Sequence, residues 1–229
     1  MMALGIDTSS PSGSVGLHAS DGSVSALLSV RAGPTHSIRL LPAIEALMRS
    51  AGVRPGDVDV ITAACGPGSF TGLRIGMATA KGLALASARP VTGFSTLETI
   101  AHAAAPWSQA GGVICVVLDA GRGEVYRGLY RISGRGLDPM APEAALPPAE
   151  AMTALKAPAI VIGDGLAAHR DTILPLLPPG SVMVPEAPPI GLELARRAAR
   201  LAQEAGIDRL PPLVPHYLRV SDAERSWRG

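Results

Sequence analysis

VDVITAACGPGSFTGLRIGMATAKGLALAS, residues 58–87, is the stretch whose reading decides the fold. It opens with an apolar run ending at Cys65, which predicts a buried strand. Gly66-Pro67-Gly68 then forms a turn, Ser69 or Thr71 caps the next element, and a long Ala/Gly-rich helix completes the unit. Gly72, Gly76, Ala80 and Ala84 recur every fourth residue, and so place small side chains along one helical stripe. Such a stripe lets another helix approach closely. A strand, a glycine turn and a helix start also make a seat for an anion, because the first N–H groups of a helix have no internal partner. Packing turn and ligand turn both stay open. The spacing is neither a dinucleotide fingerprint nor a P-loop, and Lys81 lies far along the helix.

The same strand-turn logic appears at the chain start. Ala3–Ile6 is apolar and runs into Asp7-Thr8-Ser9-Ser10. Ser14–Ala19 and Val24–Val30 follow as two further strands joined at Asp21-Gly22, a hairpin signal. An aspartate that ends a strand and is followed by small hydroxyl residues, then a hairpin, resembles the phosphate-binding turn of the actin, sugar-kinase and heat-shock chaperone superfamily. A carboxylate there holds a metal-bound water while hydroxyls and amides face phosphate oxygens. Asp7, Thr8, Ser9, Gly66, Gly68, Ser69 and Thr71 are thus the candidate nucleotide or anion turns; the plain alternative is that Asp7 caps a turn.

Residues 36–51 read as an amphipathic helix with Thr35 as N-cap. Ile38, Leu41, Ile44, Leu47 and Met48 fall on one face, widened by Leu40. Pro42 predicts a kink or a late start near Leu41. Ser95-Thr96-Leu97-Glu98 has the form of a capping box opening a helix that fades by Pro106. Val113–Leu118 and Glu124–Tyr130 are strands around Asp119-Ala120-Gly121-Arg122-Gly123, an echo of the layout at Asp7. Residues 137–148 read as an exposed loop and 166–177 as one helix entered from Gly163-Asp164-Gly165. Residues 177–189 read as a surface connection. Ile190–Ala205 is a final helix, with Leu192, Ala195, Ala199 and Ala202 inward and Gly206 after its end.

Composition bounds the function. The 229 residues suffice for one large or two small domains, 47% are hydrophobic, and the net charge is +1. Aromatics are only 3%, and although 18 of the 20 basic residues are arginine, they are scattered. That argues against a stand-alone nucleic-acid binder. Cys65 and Cys115 sit in predicted strands without CxxC spacing and read as reduced core thiols of a cytoplasmic protein. No signal peptide stands out. The charge-free run from Thr99 to Leu118 is broken by Pro106 and Gly111-Gly112, so no membrane span is expected.

IDTSS (6–10), HSIRLLP (36–42), GPGSFTGLRIG (66–76), DAGRGEVY (119–126) and PHYLR (215–219) occur in this order. The chain thereby resembles, over residues 3–219, the bacterial TsaB (YeaZ) family of tRNA threonylcarbamoyladenosine biosynthesis proteins. The resemblance implies an α/β fold of two actin-like lobes, each a mixed β-sheet flanked by helices. The first lobe is expected over 1–105, joined by the helix at 190–205. The second is expected over 106–189, with a tail at 206–229.

The resemblance also implies a non-catalytic partner of the TsaD-type transferase, acting with a TsaE-type ATPase, reaching tRNA through the complex, and forming a homodimer when alone. The related transferase carries an HxEGH-like metal motif after the strand that follows its glycine-turn helix. By that alignment the two histidine positions here are Thr96 and Ile100, which supply no imidazole. No catalytic residue and no metal ligand is therefore assigned. The docking surface is expected on Ile38, Leu41, Ile44, Leu47 and Met48 together with Gly72, Gly76, Ala80 and Leu83. No cofactor is expected to bind tightly; ATP or ADP with Mg, held weakly or shared at the partner interface, is the remaining nucleotide expectation. Two alternatives are an actin-like ATPase or kinase using Asp7, Thr8, Ser9 and Asp119, and direct tRNA binding through Arg219, Arg225 and Arg228.

Overall fold

The computed structural model describes residues 1–31, 36–134 and 136–219. Thr35, Arg225 and Arg228 lie outside these residues. The described chain divides into two compact units, Met1–Thr99 with Pro189–Pro215, and Ile100–Pro188 with His216–Arg219.

The first unit is built on β1 (Met2–Asp7), β2 (Ser12–Ala19), β3 (Ser25–Arg31), β4 (Val60–Ala64) and β5 (Val91–Phe94). They form one sheet in the order β3-β2-β1-β4-β5. β1 is antiparallel to β2 and parallel to β4. The helices α1 (His36–Ser50) and α2 (Phe70–Ser87) share a core with the sheet. Leu40, Ile44, Leu47 and Met48 of α1 meet Met77, Ala80 and Ala84 of α2 there, over Leu4, Ile6, Val15 and Leu17. α1 already begins at His36, so Pro42 does not delay it. The carbonyl that Pro42 leaves without a partner belongs to Ile38, which is solvent-exposed and can be hydrated.

α7 (Gly191–Ala205) comes back to this unit from the far end of the chain. The reason is a floor of glycine. Gly5 and Gly16 face each other across β1 and β2. A Cβ on Gly16 would stand 2.3 Å from the Leu192 nitrogen, and one on Gly5 would stand 2.1 Å from the Gly191 oxygen. Only hydrogen on both strands lets the helix start lie this close. Ser14 Oγ accepts the Gly191 N–H at 2.9 Å and fixes the position. Leu194, Ala195, Ala198, Ala199 and Ala202 are buried; Leu192, expected inward, is only half-buried.

The second unit repeats the design. Its strands are β6 (Val113–Gly121), β7 (Glu124–Ser133), β8 (Gly136–Leu146), β9 (Ala159–Ile162) and β10 (Val182–Val184), in the order β10-β9-β6-β7-β8. β6 is antiparallel to β7 and parallel to β9, as β1 is to β2 and β4. Asp7 and Asp119 therefore sit near the ends of corresponding strands.

Two stretches read as surface chain are strands. Residues 137–148 contain most of β8, an edge strand whose pairing with β7 shifts register twice, so Pro139 and Pro142 need not interrupt a central ladder. β10 is a short edge strand within 177–189. The single helix expected over 166–177 is broken into α5 (Gly165–Ala168), α6 (Arg170–Ile173) and a tight turn at Leu174–Leu176. His169 leaves the helical region at φ −126°. The two short helices, with α4 (Pro148–Met152) and α3 (Thr96–Ala104), complete the set. Among the described residues no helix is long and apolar enough to cross a membrane.

Candidate functional site

The turn after β1 and the turn before α2 come together in the first unit, and each closes on the other. Asp7, Thr8 and Ser9 are buried. Asp7 Oδ1 accepts both the N–H of Ser9 at 2.9 Å and its hydroxyl at 2.6 Å. Thr8 donates its hydroxyl to the Gly72 carbonyl at 2.7 Å, and the Ser69 N–H donates to the Ser9 carbonyl at 2.7 Å. Ser69 caps α2, its Oγ accepting the Gly72 N–H at 3.2 Å. Gly66 is buried and its carbonyl accepts the Thr96 N–H, while Thr71 is exposed at the first turn of α2.

The glycines here are spaced for backbone approach. A Cβ on Gly68 would lie 2.5 Å from the Ser9 oxygen, on Gly72 2.0 Å from the Thr8 oxygen, and on Gly76 2.3 Å from Thr8 Oγ1. The hydroxyls of Thr8 and Ser9 are thus engaged with protein.

The expected docking stripe is corrected by the same contacts. Gly72, Gly76 and Ala80 face inward, the first two against Thr8, and cannot meet a partner helix. Ile44, Leu47 and Met48 are core residues, and Leu83 is half-buried against that core. The 3.6-residue period placed Leu40 at the edge of the buried face, and the helix is in fact rotated toward it. What remains exposed is Ile38 at 73% and Leu41 at 49% on α1, and Phe70 at 38% and Leu85 at 86% on α2. The Arg74 guanidinium lies 3.7 Å from the Phe70 ring centroid. Phe70 and Leu85 escaped the sequence reading because the small-residue stripe drew the eye to the opposite face of α2.

Thr96 and Ile100 are both buried. Between them, Glu98 pairs with the buried Arg197 of α7 at 2.6 Å. Arg197 also donates to Thr99 Oγ1 at 2.7 Å and lies over the Phe94 ring. A carboxylate at this position therefore locks α7 to β5 and α3. Arg197 was not singled out from sequence, since an arginine on a helix ordinarily marks its wet face. Among the described residues no three His, Cys, Asp or Glu side chains group to hold a metal ion.

In the second unit Asp119 Oδ1 accepts the Gly121 N–H and faces His169 Nε2 at 3.3 Å. Asp164 Oδ1 accepts the Asp119 N–H at 3.0 Å. A Cβ on Gly163 would lie 2.2 Å from the Val117 oxygen, so this glycine too is demanded by backbone packing. Burial pushes the Cys115 thiol up to about 12, which leaves it inert.

A family model described as TsaD, tRNA N6-adenosine threonylcarbamoyltransferase, matches residues 30–226. The tRNA threonylcarbamoyladenosine biosynthesis protein TsaB of Bacillus subtilis is 34% identical over 197 residues, spanning 84% of this chain and 83% of that one. The chain belongs to the TsaB family. TsaB of Escherichia coli is 37% identical over 138 residues, 60% of this chain and 58% of that one. The solved structure of YeaZ from Pseudomonas aeruginosa superposes with a TM-score of 0.77 at 28% identity, covering 95% of this chain and 99% of that one. The doubled mixed sheet is the actin-like architecture that the sequence motifs implied.

Proposed function

We propose that this TsaB-family chain serves threonylcarbamoyladenosine formation on tRNA as a non-catalytic partner that binds and activates a TsaD-type transferase. A TsaE-type ATPase is the third member, tRNA is reached through the complex in the cytoplasm, and the free chain self-associates. The observation that supports this reading is the exposed apolar set on α1 and α2 of the first unit, Ile38, Leu41, Phe70 and Leu85. Large apolar side chains left exposed on a helix pair, with the Arg74 guanidinium over the Phe70 ring, are residue types that interfaces collect.

The turns at Asp7 and Gly68 fit a supporting role, because their hydroxyls and backbone groups hold α2 in place. Any ATP or ADP with Mg would then bind weakly or be shared with the partner.

The test is light scattering coupled to size exclusion, on the chain alone and with the transferase of the same organism. Ile38→Glu with Leu41→Glu should weaken the mixed complex about tenfold or more, as loss of central apolar contacts does. The melting temperature should stay unchanged, and transferase activity should follow the complex. An unaffected complex would remove this surface from the reading. ATP turnover by the chain alone, lost in Asp7→Ala, would instead favour an actin-like nucleotide-binding enzyme.

A further inference from the structure

The PHYLR motif has no place in the surface described above, yet its last residue makes a concentrated set of contacts. Arg219 Nη1 donates to the Ala120 carbonyl at 2.8 Å, and lies 3.4 Å from the Gly121 oxygen and 3.3 Å from Glu124 Oε2. One nitrogen thus meets oxygens from both arms of the β6–β7 hairpin. That hairpin carries Arg122 at φ +57° between Gly121 at +69° and Gly123 at +78°. A left-handed arginine is held there at a cost that neighbouring contacts must offset.

The preceding residues are pinned as well. Leu213 is buried and packs against Gly93, Thr92 donates its hydroxyl to the Pro211 carbonyl at 2.7 Å, and His216 Nε2 lies 3.0 Å from Glu143 Oε2. No regular element spans 211–219.

We propose that Arg219 is a clasp: it positions the Asp119–Glu124 hairpin of the second unit by filling the oxygen cage at its base with the chain's own cation.

Hydrogen exchange of the intact chain tests this. The amides of Asp119 and Gly121, which are bonded to the side chains of Asp164 and Asp119, report the hairpin directly. Arg219→Ala should speed their exchange about tenfold, the loss expected for one charge-assisted hydrogen bond, and leave the amides of β9 unchanged. Millimolar guanidinium, far below denaturing concentration, should restore protection in Arg219→Ala but not in the wild type. Arg219→Lys should retain part of it, and Glu124→Gln should reproduce part of the loss should Arg219→Ala not fold. Unchanged hairpin exchange in Arg219→Ala, or a loss spread equally over β9 and indifferent to guanidinium, would overturn the clasp.

Discussion

Gly16→Ala should undock α7. The added methyl would stand 2.3 Å from the Leu192 nitrogen, 2.4 Å from its Cα and 2.5 Å from the Gly191 carbon. All three are helix backbone and none can rotate away. Relief to an ordinary contact near 3.4 Å needs a shift of about 1 Å between helix and sheet. That shift strains the 2.9 Å bond from the Gly191 N–H to Ser14 Oγ and opens gaps beside Leu194 and Ala195.

Overpacking by one methyl costs about 1–3 kcal/mol, and the rigid obstacle places this site at the upper end. The weakened hydrogen bond adds about 1 kcal/mol, offset by nearly as much from the lower entropy of the unfolded alanine chain. The net is roughly 3 kcal/mol, or about 6–12 °C in Tm at this chain length.

Differential scanning calorimetry measures it. Gly82→Ala is the matched control, since nothing lies within 4 Å of its Cβ position on the exposed side of α2. Helix propensity there predicts a gain of about 0.5–1 kcal/mol. A Gly16→Ala protein melting within about 2 °C of wild type would refute the argument that the glycine floor seats α7.

Two further outcomes follow from buried polar atoms. Thr62 Oγ1 is fully buried on β4 with no hydrogen-bond partner among the described residues, so the near-isosteric Thr62→Val should raise stability by about 1 kcal/mol in urea titration; a loss would mean the hydroxyl is satisfied by water. His18 has its pKa lowered by burial first and by Arg196 second. Folding therefore favours the neutral ring, and this contribution is complete above the ordinary value near 6.5 and lost as pH falls through the folded value. Glu193, raised by burial, acts oppositely in the lower window above 4.5. Between pH 7.5 and 5.5 the wild type should lose more stability than His18→Gln; equal slopes would remove His18 as a cause.

The strand-turn-helix at 58–87 and the two hairpins were legible because period, turn residues and caps are local signals, whereas where the last helix packs is a long-range matter that only the family resemblance addressed. The edge strands β8 and β10 were not, since proline and half-exposure look like loop until a neighbouring strand supplies the pairing. The site shows a deeper limit. Gly72 and Gly76 are small for a reason the sequence states, close approach, but it cannot say to what. The four-residue spacing fits a partner helix as well as it fits the underside of Thr8, and only the rotation of α2 about its axis decides.

That rotation is itself set by the turn at Asp7. Thr8 bonds to the Gly72 carbonyl, Ser9 receives the Ser69 N–H, and both require glycine opposite them. The residues that look like a phosphate site and those that look like a docking stripe are thus one contact seen from two sides. Its effect is to turn Phe70, Arg74 and Leu85 outward. A change at Gly76 would then disturb the proposed docking only by first disturbing α2, whereas changes at Ile38 or Leu85 address the proposed surface alone.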